Sequence, residues 1–130
     1  MAIPQVASSP PRSKRILVCD DERHIVRLVQ TWLEQKGHSV ATCFDGVDAL
    51  EMLRKEPFDL LILDVMMPRK DGLEVLKEIR TDQALAEQRV ILLTAKSQDA
   101  DVYAGYHYGA DLYLTKPLQS SDLMPFVERL

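Results

Sequence analysis

Residues 59–68 read DLLILDVMMP, and this stretch decides the fold class of the chain. The apolar run at residues 60–63 has no polar alternation, which is typical of a strand covered on both faces at the centre of a parallel sheet. The run ends at Asp64, a carboxylate with apolar residues on both sides. Burying an ionised carboxylate is costly unless another group compensates its charge. The sequence therefore predicts a polar site around Asp64 at the end of a buried strand.

Short apolar runs alternate with amphipathic segments along the rest of the chain, and no internal repeat occurs. This alternation is typical of βα units, and it predicts an α/β fold with a parallel sheet. The second and fifth runs are more mixed in polarity, as edge strands are. The predicted strands cover residues 15–19, 38–44, 58–63, 90–94 and 111–115.

Five helices are predicted to flank the strands. The first, from about residue 22 to 36, is closed by Gly37. It carries an apolar stripe with helical spacing, made of Ile25, Leu28, Val29, Trp32 and Leu33. Asp45 and Asp71 can cap the second and third helices, and the fourth covers roughly residues 98–106. Ser120 or Ser121 is expected to cap the fifth, which carries Pro125 about one turn after its start.

Length and composition limit the class of protein. The chain of 130 residues is 46% hydrophobic and 28% charged, as expected for one folded domain, and residues 1–13 are expected to form a flexible tail before a domain at 14–130. A net charge of -4 argues against direct nucleic-acid binding. No apolar stretch is long enough for a membrane helix and no secretory signal is evident, which predicts a cytoplasmic location. Cys19 and Cys43 are expected to be free thiols.

Polar residues follow four of the predicted strands. Asp20 and Asp21 follow the first, Asp64 the third, Thr94 the fourth and Lys116 the fifth. The carboxyl ends of parallel strands share one edge of the sheet, so we expect these side chains to converge. Crowded carboxylates repel each other, and oxygen ligands without cysteine or histidine suit Mg²⁺ or Mn²⁺. The lysine ammonium and the hydroxyl suit an anion such as phosphate.

A metal and an anion together indicate phosphoryl chemistry. Asp64 is the candidate nucleophile, forming an aspartyl phosphate, because it stands alone on the central strand while Asp20 and Asp21 can hold the metal. A plainer interpretation makes each aspartate a helix cap or a surface charge. That interpretation explains each residue singly but not its coincidence with Thr94 and Lys116.

Four motifs in order resemble the receiver domain of two-component response regulators: LVCDDE at 17–22, LLILDVMMPRKDG at 60–72, ILLTAK at 91–96 and GADLYLTKP at 109–117. The resemblance covers residues 14–130. It implies a doubly wound, flavodoxin-like sheet in the order 2-1-3-4-5 with five flanking helices. It also implies that Asp64 accepts a phosphoryl group from a phosphohistidine of a sensor histidine kinase or a histidine phosphotransfer protein.

The resemblance also implies a ligand set for Mg²⁺, which Mn²⁺ could replace. Asp21 and Asp64 would bind the metal directly, together with the backbone carbonyl of Met66. Asp20 would act mainly through water.

On the phosphate side, the resemblance implies that Thr94, Lys116 and the N–H of Ala95 bind the phosphoryl oxygens. Thr94 and Tyr113 would form a switch in which the ring turns inward. The Lys116–Pro117 bond would be cis, which only X–Pro bonds adopt at modest cost.

For the output, the resemblance implies that phosphorylation remodels the face formed by the fourth helix, fifth strand and fifth helix. That face would bind an output domain, another partner or a second copy of the chain. The chain would act as a switch with at most slow self-catalysed phosphotransfer and autodephosphorylation, rather than as a turnover enzyme.

Three alternatives compete with this interpretation. A hydrolase of the haloacid dehalogenase type would need a DxD motif after the first strand and a cap domain, whereas Asp20 and Asp21 are adjacent and the chain is expected to have no residues for a cap. A receiver-shaped module that no longer uses phosphate would have no reason to keep the crowded carboxylates. A flavin-binding protein would need a phosphate loop rich in serine, threonine and glycine after the first strand.

Overall fold

The structure is a computed structural model that describes residues 13–95 and 109–130. The expected N-terminal tail, apart from Ser13, and the helix predicted at about 98–106 lie outside the described residues.

A parallel five-stranded sheet forms the centre of the fold, with the strand order β2-β1-β3-β4-β5. The strands are β1 Arg15–Cys19, β2 Ser39–Cys43, β3 Leu60–Asp64, β4 Val90–Thr94 and β5 Leu112–Thr115. The described helices are α1 Arg23–Gln35, α2 Gly46–Lys55, α3 Gly72–Thr81 and the C-terminal helix α4 Ser120–Arg129. None of these four helices has the length and apolar character needed to cross a bilayer. The predicted fold class and strand order are confirmed.

The core has two layers because successive strand residues point to opposite faces of the sheet. On β3, Leu61 and Leu63 pack into one cluster with α2 and α3, while Leu60 and Ile62 pack into another with α1 and α4. All five β3 residues are buried, including its last residue, Asp64. The central strand β3 therefore ends in a buried carboxylate, Asp64, at the C-terminal edge of the sheet.

Two helix starts follow the predicted capping chemistry. The Asp45 side chain accepts a hydrogen bond from the Asp48 N–H at 2.9 Å. At α3, Asp71 accepts from the Glu74 N–H at 2.9 Å, and the Glu74 carboxylate accepts from the Asp71 N–H at 3.1 Å. This reciprocal pair satisfies two donors that a helix start otherwise leaves unpaired. Both predicted caps are confirmed.

Two details of the helices differ from the prediction. The buried face of α1 consists of Val26, Val29 and Leu33, whereas Leu28, which was assigned to the apolar stripe, is 41% exposed. Helix α4 begins at Ser120 after Gln119, which makes no side-chain cap, so the expected serine cap is wrong. Pro125 is consequently the sixth residue of α4, where its missing N–H breaks one helical hydrogen bond on the exposed side of the helix.

The burial of the His38 side chain predicts that this residue lowers folding stability in mild acid. It is buried, and its Nδ1 accepts a hydrogen bond from the Lys14 N–H at 3.1 Å. Burial, with the nearby Lys14 charge, lowers the pKa of His38 below its ordinary value of 6.5. As the pH falls below 6.5, the unfolded chain binds a proton that the folded chain resists, so folding is penalised.

We therefore expect the thermal unfolding midpoint of wild type, measured relative to that of His38→Gln at the same pH, to decrease as the pH is lowered from 7.5 to 5. His24→Gln is the control, because His24 is exposed. An equal pH slope in wild type and His38→Gln would contradict the assignment.

Candidate functional site

The C-terminal edge of the sheet brings together the acidic residues that the sequence placed after β1 and β3. One carboxylate oxygen from each of Asp20, Asp21 and Asp64 lies within 4.8 Å of the other two. Lys116, which follows β5, places its Nζ 2.9 Å from Asp20 Oδ2 and 3.3 Å from Asp64 Oδ1. Residues far apart in the chain thus share one site because parallel strands end on the same side.

Asp64 is held in the interior by the pairing of β3 with β4, where it lies opposite Leu93. Only 4% of its surface is exposed. Burial raises the pKa of Asp64 to about 7, the charge of Asp20 adds to the rise, and Lys116 opposes it. The carboxylate is therefore unusually easy to protonate and gains strongly from any added positive charge.

Asp20 is fully buried and is oriented by two partners. Its Oδ1 accepts a hydrogen bond from the Glu22 N–H at 2.9 Å, while its Oδ2 faces Lys116. Burial raises the pKa of Asp20, and the Glu22 N–H and Lys116 work against that rise. Asp21, in contrast, is exposed and lines the mouth of the site.

Lys116 has a third carboxylate partner that the sequence interpretation missed. Glu22 Oε1 accepts a hydrogen bond from Lys116 Nζ at 2.6 Å. Burial disfavours the ammonium, but the hydrogen bonds to Glu22 and Asp20 outweigh burial and hold the pKa of Lys116 above its ordinary value. The hydrogen bond from Lys116 also lowers the pKa of Glu22. The sequence did offer a signal for Glu22. It follows Asp20 and Asp21 directly and precedes the first turn of α1, so its side chain can reach back toward the end of β1.

The remaining predicted site residues lie on strands β4 and β5 or in the loops directly after β3 and β4. Thr94 is buried, and its Oγ1 donates to the Ala95 carbonyl at 3.2 Å. Ala95 and Met66 line a crevice of about 240 Å³ together with Asp64, and Met66 is 59% exposed. Tyr113, on β5, is half-buried and packs against the core layer that contains α2 and α3.

The peptide bond that follows Lys116, to Pro117, is cis as predicted.

The donor set of this crevice fits a hard divalent cation. Asp20, Asp21 and Asp64 offer carboxylate oxygens, and none of these three ligands is a sulfur or an imidazole. Lys116 is shared among three carboxylates, so negative charge exceeds positive charge around Asp64. The acidic cluster could therefore hold a metal ion.

A family model described as the response regulator receiver domain matches residues 16–128. The transcriptional regulatory protein DltR of Streptococcus agalactiae is 44% identical over 110 residues, which are 85% of this chain and 48% of DltR. The chain thus spans about half the length of that relative. The family-model match and the similarity to DltR together show that the chain belongs to the response regulator receiver domain family.

Solved structures agree with this membership. A putative response regulator from Chloroflexus aurantiacus superposes with a TM-score of 0.86 at 28% identity, covering 91% of this chain and 97% of that one. The phosphorylated cyanobacterial phytochrome response regulator RcpA superposes with a TM-score of 0.77 at 32% identity, covering 91% of each chain. The resemblance drawn from the four sequence motifs is confirmed.

Proposed function

We propose that this chain is a phosphorylation-dependent signalling switch in which Asp64 accepts a phosphoryl group from a phosphohistidine. The phosphohistidine would belong to a sensor histidine kinase or a histidine phosphotransfer protein. The observation that carries the proposal is the position of Asp64, buried at the end of β3 with two further aspartates and Lys116 around it. RcpA, a family member of similar fold, was solved in a phosphorylated form.

Mg²⁺ is the proposed cofactor, with Mn²⁺ as a substitute. Asp21, Asp64 and the backbone carbonyl of Met66 would hold it, and Asp20 would act through water. When bound, the ion would neutralise negative charge that develops on the transferring phosphoryl group.

The chain's own residues would then carry the transfer. An Oδ of Asp64 forms a bond to phosphorus while the phosphorus–nitrogen bond of the phosphohistidine breaks, and the imidazole leaves with that electron pair. Lys116, the Thr94 hydroxyl and the Ala95 N–H would bind the phosphoryl oxygens. Positioning and charge neutralisation supply most of the catalysis in such transfers, so no separate general base is needed.

The output would follow from a change in the equilibrium between two conformations. Thr94 moving toward the phosphoryl group would let Tyr113 turn inward and alter the face that contains β5 and α4. That face would bind an output domain, another partner or a second copy of the chain. Similarity to DltR, a transcriptional regulatory protein, favours transcription as the controlled process.

The direct test is labelling by acetyl phosphate, followed by intact-mass measurement with and without Mg²⁺. We expect one phosphoryl group per chain, dependent on Mg²⁺, and borohydride reduction followed by peptide mapping should locate it at Asp64. A label on Asp20, or steady turnover of phosphate monoesters, would instead support the hydrolase alternative.

Mg²⁺ should also stabilise the unphosphorylated protein, because it binds the folded acidic cluster and relieves its repulsion. At a concentration 100 times its dissociation constant, a ligand of this kind stabilises by about 3 kcal/mol. Thermal unfolding with and without Mg²⁺ measures the effect. Asp21→Asn should remove most of it, whereas Asp122→Asn, an exposed change on α4, should leave it intact. Equal stabilisation of both variants would place the metal elsewhere.

A further inference from the structure

The loop between β3 and α3, residues 65–71, is fastened to the start of α2 by the side chain of Arg69. Its Nη2 lies 3.0 Å from Asp45 Oδ1 and 2.9 Å from Asp45 Oδ2, and its Nε lies 3.1 Å from Asp45 Oδ2. Nη2 also donates to Asp48 Oδ1 at 3.0 Å. We call this set of contacts, from Arg69 to Asp45 and Asp48, the arginine clasp.

The backbone of Arg69 is strained. Its φ is 66°, and it is the only non-glycine residue with positive φ in the described part of the chain. A left-handed conformation is unfavourable for a residue with a Cβ, because the Cβ comes too close to the following carbonyl oxygen. Strain of this kind persists where the surrounding contacts over-determine the backbone, and it concentrates at functional sites.

The clasped loop has little freedom to move. A Cβ on Gly46, at the start of α2, would lie only 2.1 Å from the Lys70 carbonyl oxygen, so the two backbones are in direct contact. At the other end of the loop, the Gly72 N–H donates to the Val65 carbonyl at 2.8 Å. Between these anchors lies Met66, which lines the crevice beside Asp64.

The clasp contributes more to the geometry of the loop than to folding stability. The Arg69 side chain is 54% exposed, and an ion pair that water and salt can screen in this way contributes little to stability. That gain is offset by the backbone strain at the same residue, so the net effect on folding is small. Because Arg69 adds little net folding stability, we attribute its strained backbone to the position in which its contacts hold the loop.

We propose that Arg69 is a positioning residue for the phosphoacceptor site, and this inference rests on the function proposed above. The clasp would hold residues 65–71 in the position from which the Met66 carbonyl and the Asp64 carboxylate could both bind Mg²⁺. Arg69 would act through Asp45 and the loop backbone, and not by binding the metal or the phosphoryl group itself.

The test compares the full chain with Arg69→Gly and Arg69→Lys. Glycine removes the clasp and the strain together, so the thermal unfolding midpoint should stay close to that of wild type. Groups that orient metal ligands are typically worth about 10–100-fold in metal affinity, and we expect Arg69→Gly to weaken Mg²⁺ binding about tenfold. Lysine keeps the charge but lacks the planar fork, so it should restore only part of the affinity. Mg²⁺ titration followed by Trp32 fluorescence or calorimetry gives the dissociation constants.

A second readout needs no metal. In Arg69→Gly, amide hydrogen exchange at Gly72 and Lys70 should be faster than in wild type, because the loop has lost its anchor. Arg15→Gln is the matched control. It removes another half-exposed arginine ion pair, with Glu56, at the opposite edge of the sheet. It should lower stability slightly and leave the Mg²⁺ dissociation constant unchanged.

The outcomes separate the two proposals. Wild-type Mg²⁺ affinity in Arg69→Gly would overturn the positioning role while leaving the proposed function standing. A wild-type chain that neither binds Mg²⁺ nor accepts a phosphoryl group would overturn the proposed function, and the positioning role with it. An equal loss of affinity in Arg15→Gln would show a general effect of stability and would also overturn the positioning role.

Discussion

Asp64→Asn is expected to abolish phosphoryl labelling by acetyl phosphate and by a cognate kinase. An amide oxygen is a far weaker nucleophile than a carboxylate, and the variant also removes one proposed metal ligand. Intact-mass measurement after incubation with acetyl phosphate and Mg²⁺ reads the result directly. Asp122→Asn, on the exposed face of α4, should label like wild type. Labelling of Asp64→Asn at the wild-type rate would refute the assignment of the acceptor.

The same variant should be more stable than wild type when no divalent cation is present. The pKa of Asp64 is raised from 3.8 to about 7 by burial and by Asp20, so between these values the folded state binds a proton that the unfolded state does not. Folding stability from this group therefore falls as the pH rises from about 4 to 7. Asparagine has no charge to bury, so the gain should be largest above pH 7 and should shrink in acid. Thermal unfolding at pH 8 and pH 5 tests both points.

Gly72→Ala is expected to destabilise the fold and to disturb the site at the same time. A Cβ at Gly72 would lie 2.3 Å from the Asp64 carbonyl oxygen and 2.9 Å from the Val65 Cα, and backbone atoms cannot move away as a flexible side chain can. Overpacking of this kind costs about 1–3 kcal/mol and sometimes more. Because the clash falls on Asp64 itself, Mg²⁺ affinity and labelling should fall as well. Denaturant unfolding and Mg²⁺ titration measure the two effects.

Gly37→Ala is the matched control for that substitution. Gly37 has a φ of 89°, but a Cβ there would have no atom within 4 Å. The substitution removes only the tolerance of glycine for a positive φ. We therefore expect the free energy of unfolding to fall by about 1 kcal/mol and Mg²⁺ binding to stay normal. If Gly37→Ala were as damaging as Gly72→Ala, the close approach to Asp64 would not be the cause.

The elements predicted best from sequence are those whose signals are local. The apolar run before Asp64 identified the central strand, because only a strand covered on both faces needs so many apolar residues in succession. Asp45 and Asp71 marked two helix starts, since capping depends on residues three positions apart. The convergence of Asp20, Asp21, Asp64 and Lys116 followed from parallel topology, in which all strand ends share an edge.

The features that the sequence did not reveal depend on tertiary geometry. Glu22 reaches Lys116 only because α1 starts beside β5's C-terminal loop, and the two residues are 94 positions apart. Arg69 looks like an ordinary loop arginine until its φ and its contacts with Asp45 are known. Leu28 fitted a helical stripe, but the orientation of α1 on the sheet decides which edge of the stripe meets solvent.

The three carboxylates around Lys116 have a consequence for how the site is loaded. An ammonium carries three N–H donors, and here Asp20, Glu22 and Asp64 already surround it. An oxyanion that binds Lys116 would therefore have to displace one of these carboxylates. Glu22 is the most exposed of the three, so its displacement into solvent would be the easiest. Phosphate binding by Lys116 would thus exchange one anionic partner for another, with little change in net charge.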